Sequence, residues 1–267
     1  MLPYKIIQAT TSRVPILVSV PHSGTSFPEE VIGDYNTSLL QQPADTDWFV
    51  DLLYDFAPAL GITMIVAPYS RWVIDLNRNP NDKPLYTDGR IITALCPATT
   101  FLNEPLYKNQ RPEVDPEEIQ RRLQRYYVPY HQKIDELLTE LKTEFGKVLL
   151  WDCHSIRQIV PTIQPQKFPD LILGDADETS SSATLIHTAL TSLRNSSYTV
   201  NHNHPFKGGT ITRSFGKPAE NQHALQLEMT KVNYMDDTET FYHESRATRM
   251  RLVLRNTFEK LIDQLAK

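Results

Sequence analysis

Cysteine is scarce in this 267-residue chain: there are two, Cys96 and Cys153, and no Cys-x-x-Cys pair. That excludes a disulfide-stapled scaffold and a cysteine-rich structural zinc site. Long apolar runs are missing too. No stretch reaches the roughly 18–20 residues that a membrane-spanning helix needs, and the N-terminal segment lacks a signal-peptide core with a small-residue cleavage site. The expectation is a cytoplasmic protein with no membrane partner. There is no basic surplus either: 27 Lys and Arg stand against 32 Asp and Glu, a net charge of −5. Without excess cations to displace counterions, nucleic acid is not an expected partner, although a locally basic pocket for an anion stays open. Internal repeats, low-complexity tracts and Gly/Ser linkers are absent. What remains is ordinary globular composition, 40% hydrophobic and 22% charged, in one domain over residues 1–267 that is long enough to bury its own core. No feature specifies an oligomeric state.

Apolar runs alternate with helical periods. Strands are expected at Pro15–Val20, Ile62–Ala67, Arg71–Leu76, Val148–Asp152, Leu171–Leu173, Tyr198–Val200 and Ala224–Met229, and helices at Asp47–Leu60, Pro116–Phe145, Thr179–Leu193 and Phe241–Leu265. Pro129 should kink or interrupt the second helix, and Gly146 should stop it. Loops are expected at Asn77–Pro84 and Pro97–Pro116. Short buried strands spaced by helices predict an α/β fold with a mostly parallel sheet covered on both faces. In such sheets ligands bind beyond the carboxyl ends of the strands.

Two histidines fall at that edge, His22 in VSVPHSG and His154 in LLWDCHS. Catalytic zinc takes three protein ligands and leaves a position open, so a carboxylate should join the pair. The segment ADTDWFV offers Asp45 and Asp47, of which Asp45 is also a good helix N-cap. Asp152 could fix the tautomer of His154 by accepting its other ring N–H, or could simply end a strand. The segment SRWVIDLNR carries Arg71, Asp75, Asn77 and Arg78, and KGGTITRSFGKP carries Arg213. Guanidinium forks suit carboxylates, although arginines on exposed faces are commonly just solvated. Glu228 interrupts the apolar pattern LQLEM, either at a strand's exposed edge or buried for proton transfer.

Taken together these segments resemble the N-formylglutamate amidohydrolase family of histidine degradation. The matching stretches are VSVPHSGTSFP, DTDWFVDLLYDFAPALG, YSRWVIDLNRNP, PYH, LLWDCHS, LILGD, PFKGGTITRSFGKP and LQLEMTKVNYMD, in the family's order from Val18 to Asp236. The resemblance implies distant kinship with zinc carboxypeptidases and aspartoacylases, and hence a three-layer α/β/α sandwich with a mixed sheet. It implies zinc held by His22, His154 and an Asp, with Asp47 preferred over Asp45. Glu228 would be the base and Arg71 the polariser of the scissile carbonyl. Asn77, Arg78 and Arg213 would bind the carboxylates of a small dicarboxylate substrate, N-formyl-L-glutamate, which is hydrolysed to L-glutamate and formate. The sequence departs from the family pattern at Lys231, where Arg is common, at His204, where Asp is common, and at Thr210, where Tyr is common. The last two leave room for a different N-acyl amino acid or small peptide as substrate. A metal-free binding protein on the same scaffold would require loss of His22, His154 or Glu228, and all three are present.

Overall fold

A computed structural model of the chain describes residues 2–41, 43–81 and 94–267. Among these residues, seven strands form one sheet: β1 (Lys5–Ile7), β2 (Ile16–Val20), β3 (Thr63–Val66), β4 (Val148–Ile156), β5 (Leu171–Gly174), β6 (Val200–His202) and β7 (Gln222–Thr230). Their order is β1-β3-β2-β4-β7-β5-β6. The central strands β3, β2, β4 and β7 are parallel, while β1 and β5 run antiparallel to their neighbours β3 and β7. The helices are α1 (Glu29–Ile32), α2 (Thr37–Leu40), α3 (Val50–Leu53), α4 (Pro116–Arg122), α5 (Val128–Phe145), α6 (Ala183–Arg194), α7 (Thr210–Phe215) and α8 (Glu244–Leu265).

Strand side chains alternate between faces, and the two faces bury different sets. Val18, Trp151, Cys153, Leu225 and Leu227 pack with residues of α3, α6 and α8, whereas Leu17, Ile65, Leu150 and Ala224 pack with Tyr130, Ile134 and Leu138 of α5. The result is the expected three-layer α/β/α sandwich with a mixed sheet.

Several elements differ from expectation, each for a local reason. Arg71–Leu76 is not a strand but a series of turns: Val73 N–H donates to Ser70 O, and the Asp75 carboxylate accepts the Asn77 N–H at 2.9 Å. The Asp side chain supplies the bond a neighbouring strand would have made. The helix expected over Asp47–Leu60 is two short pieces, α3 and a 3-10 turn at Ala57–Leu60. Phe49 enters α3 from the left-handed region at φ 61°, and Pro58 has no N–H to continue an α ladder. Around Pro129 the helix is not broken. A π-helical stretch at Leu123–Tyr127 precedes it, and Val128 N–H bonds back five residues to Leu123 O. Gly146 does end α5, in the left-handed conformation. Strand β4 runs four residues beyond its expected end, so His154 lies within it and not after it. Residues 82–84 of the expected Asn77–Pro84 loop lie outside the described residues.

Candidate metal and hydrolytic centre

On the face that packs against α5, the central strands change character along their length. Leu17, Leu150 and Ala224 give way toward the carboxyl ends to Ser19, then Asp152 and His154, then Gln226 and Glu228. The register places Ser19 beside Asp152, Asp152 beside Gln226, and His154 beside Glu228. Alternation therefore lines up five polar side chains on one surface. The opposite face stays apolar through Cys153, whose buried thiol is pushed well above its usual pKa by burial and the nearby Asp152. Cys153 is a packing residue.

His22 follows β2 and meets this surface, with its ring centroid 4.9 Å from that of His154. The two rings are held alike. His22 Nε2 lies 2.8 Å from Asp75 Oδ1, and His154 Nε2 lies 2.8 Å from Asp152 Oδ2. With each Nε2–H donated to a carboxylate, both Nδ1 atoms face Asp47 Oδ2, at 3.6 Å from His22 and 3.2 Å from His154. Asp47 reaches this position because its backbone N–H donates to His22 O. One ligand atom from each of His22, Asp47 and His154 falls within a 4.8 Å cluster, and all three residues are buried.

The electrostatics follow from this packing. Burial alone would lower the His154 pKa, but Asp152 and Asp47 raise it well above the usual imidazole value. Burial would raise Asp47, but hydrogen bonding with His154 and His22 holds it below the carboxylate range. Asp75 also sits well below that range, because Arg71 and His22 outweigh its burial. His22 Nδ1 and Asp47 Oδ1 are buried without a hydrogen-bond partner among the described residues. Buried polar atoms are rarely left so. Two imidazole nitrogens and a carboxylate, each histidine backed by a second carboxylate, make a donor set that fits a zinc-like cation.

Asp45, the alternative to Asp47, is turned elsewhere. Its carboxylate accepts the Trp72 indole N–H at 2.9 Å and the Phe101 backbone N–H. Arg71 is anchored by Asp75 at 2.6 Å, lies 3.8 Å from Asp47 and sits under the Phe101 ring. Glu228 is partly accessible, and its carboxylate makes no hydrogen bond to another described residue. Burial raises its pKa and the His154 charge lowers it, with Asp47 adding to the rise; the outcome is about 8.

The carboxylate-binding candidates are placed less uniformly. Arg78 is partly buried, with Nε 3.7 Å from Asp75. Asn77 is turned inward: its amide nitrogen lies 2.9 Å from His154 Nε2 and 3.3 Å from both Asp152 Oδ2 and Gln226 Oε1, and its oxygen accepts the Ile211 N–H at 2.8 Å. Gly209 has to be glycine here, because a Cβ at that position would collide with the Asn77 amide. Arg213 is exposed on α7, and its Nε donates to Gly208 O at 3.0 Å. The segments of Arg78 and Arg213 therefore meet on one side of the site, joined through Asn77. Asp75 and Gln226 carry no assigned role in the sequence reading. An Asp between two arginines in an otherwise apolar run was the available signal for the first, and the even spacing with Glu228 for the second.

A profile of the N-formylglutamate amidohydrolase family matches residues 14–235. The chain is 39% identical to the N-formylglutamate deformylases of Pseudomonas putida and Pseudomonas aeruginosa, covering 97% of this chain and 96% of each relative. Its fold superposes on the crystal structure of N-formylglutamate amidohydrolase from Ralstonia eutropha JMP134 with TM-score 0.84 at 27% identity, over 98% of both chains. A gene product from Agrobacterium tumefaciens shares the fold at TM-score 0.77 and 17% identity, over 100% of this chain and 97% of that one. With a match over most of its length, and with that stretch holding every residue of the polar cluster at the strand ends, the chain belongs to the N-formylglutamate amidohydrolase family.

Proposed function

We propose that the chain is a zinc-dependent N-formylglutamate deformylase, which hydrolyses N-formyl-L-glutamate to L-glutamate and formate within histidine degradation. The observation that carries the reading is the buried group of His22, Asp47 and His154, with both Nδ1 atoms on one carboxylate and Glu228 alongside. A divalent cation held there supplies Lewis acidity and a lowered water pKa. Glu228 takes a proton from the attacking water and returns it to the leaving nitrogen as the formyl C–N bond breaks. The guanidinium of Arg71, fixed by Asp75, offsets charge developing on the formyl oxygen. Arg78 and Arg213 hold a substrate carboxylate at the rim. Asn77, with its amide committed inward, positions Arg78 and α7.

In the protein without metal, His154 carries a proton between Asp47 and Asp152. Metal uptake must displace it from Nδ1, so binding releases protons and weakens as pH falls. Calorimetry in buffers of different ionisation enthalpy reads the proton count directly. Asp75→Asn keeps the shape but weakens the hold on His22 and should lower metal affinity by about 10–100-fold in chelator competition.

The test of the reading is turnover. The metal-loaded protein should release formate and glutamate in equal amounts from N-formylglutamate, lose this with a chelator, and regain it with one equivalent of zinc. Preference for N-acetylglutamate or a small peptide over the formyl compound would contradict the substrate assignment.

A further inference from the structure

N-formylglutamate carries two carboxylates, and the segments of Arg78 and Arg213 meet on one side of the centre, joined through Asn77. A cation on another side of the centre would hold the two carboxylates apart. On the far side of His154, where β4 and β7 end, Lys231 is 2% exposed. A lysine ammonium has three donors, yet among the described residues Lys231 Nζ makes one hydrogen bond, to Ala44 O at 3.2 Å, and no ion pair. It lines a narrow cleft walled by Phe101, Leu102, Ile156 and Val160, and Arg157 lines the same cleft. Arg157 Nε is buried without a hydrogen-bond partner among the described residues and stands 3.9 Å from Glu239. Asp45 also borders the cleft, but its carboxylate is taken up by Trp72 and Phe101. A buried, under-coordinated ammonium is costly unless a counter-charge joins it.

The geometry points to Lys231 and Arg157 as the subsite for the second carboxylate of the substrate, and so as the pair that selects a dicarboxylic N-acyl amino acid. The inference rests on the hydrolytic reading above. The cleft is lined by Ser155 and Ile156, the two residues that follow His154 on β4, and by Asp45, two residues before Asp47, so it adjoins the segments that carry the His22–Asp47–His154 cluster. Burial lowers Lys231 to about 8, and Asp47 offsets part of that fall. Its charge is kept most readily when an anion sits against it. At Lys231, which is buried, the apolar walls exclude water and strengthen an ion pair, whereas Arg157, partly exposed, meets the cleft from its solvent side.

The test compares two substrates and two ligands. Lys231→Met and Arg157→Met should each lower kcat/KM for N-formylglutamate by about 30- to 1,000-fold, chiefly through KM. N-formylglutamine, with one carboxylate, should change by less than about threefold. Binding of glutarate, followed by calorimetry, should fall with the same variants while that of its monoamide does not. Lys231→Arg should retain most of the preference, since the charge remains, and metal content should be unchanged throughout. Equal losses for both substrates, or loss of metal in Lys231→Met, would show that Lys231 only clamps Ala44 and the Asp47 segment, and would overturn the proposal. Unchanged kinetics in both variants would overturn it too. If the unaltered protein hydrolyses neither formyl substrate, the deformylase reading fails by itself, and the glutarate comparison still decides whether the cation pair binds a carboxylate.

Discussion

Replacing Glu228 with Gln is expected to lower kcat by about 10²–10⁴-fold while metal content and substrate binding stay close to those of the unaltered protein. Gln is nearly isosteric and keeps a polar tip beside His154, but it cannot accept a proton. The position supports a base and not a ligand. Glu228 lies next to His154 across the β4–β7 ladder, is partly open to solvent, and is outside the His22–Asp47–His154 cluster. Its pKa of about 8 without metal comes first from burial, then from the balance of His154 against Asp47. A dication at the cluster adds positive charge and pulls that value down. A base works only when deprotonated, so activity in the loaded enzyme should rise with pH through a value below 8 and level off above it. The Gln variant should lose that acid limb. Loss of metal from Glu228→Gln, or full activity in it, would show the role to be misassigned.

His154→Ala should remove most of the bound metal and nearly all activity. The side chain donates one of three clustered ligand atoms and is itself held by Asp152 and Asp47. Its loss should therefore exceed the about 10–100-fold effect of disturbing an outer partner. Two aspartates two residues apart sharpen the same experiment. Asp47→Ala should behave like His154→Ala. Asp45→Ala should keep its metal, because that carboxylate serves Trp72 and Phe101. Its cost should be stability, about 1–3 kcal/mol for leaving buried donors unsatisfied. Metal analysis of the purified variants beside thermal unfolding separates the two patterns.

Much of this arrangement was legible in the sequence where the signal is local. The apolar runs of β2, β4 and β7 mark the sheet interior, and the polar residues that interrupt or follow them, His22, His154 and Glu228, fall at its carboxyl edge. Period-two alternation separates Cys153 from Asp152 and His154 without a structure. Less legible were features that depend on contacts between distant segments. The run Arg71–Leu76 has strand-forming residues, yet Asp75 satisfies its own neighbourhood and leaves no need for a partner strand. That same carboxylate meets His22 from 53 residues away, a pairing no spacing rule encodes. Asn77 and Arg213 each look like free recognition groups in sequence. Folding spends the Asn77 amide on Asp152, Gln226 and α7, and leaves Arg213 at the surface. Lys231 stands out only once its burial is known.

The most direct measurement is anomalous diffraction at the zinc edge from crystals of the protein loaded with one equivalent of zinc. A single peak about 2.0–2.2 Å from His22 Nδ1, His154 Nδ1 and an Asp47 carboxylate oxygen, with both Nε2 atoms still on Asp75 and Asp152, is the predicted result. A peak away from this cluster, or ligation through Nε2 with the two carboxylates released, would contradict it.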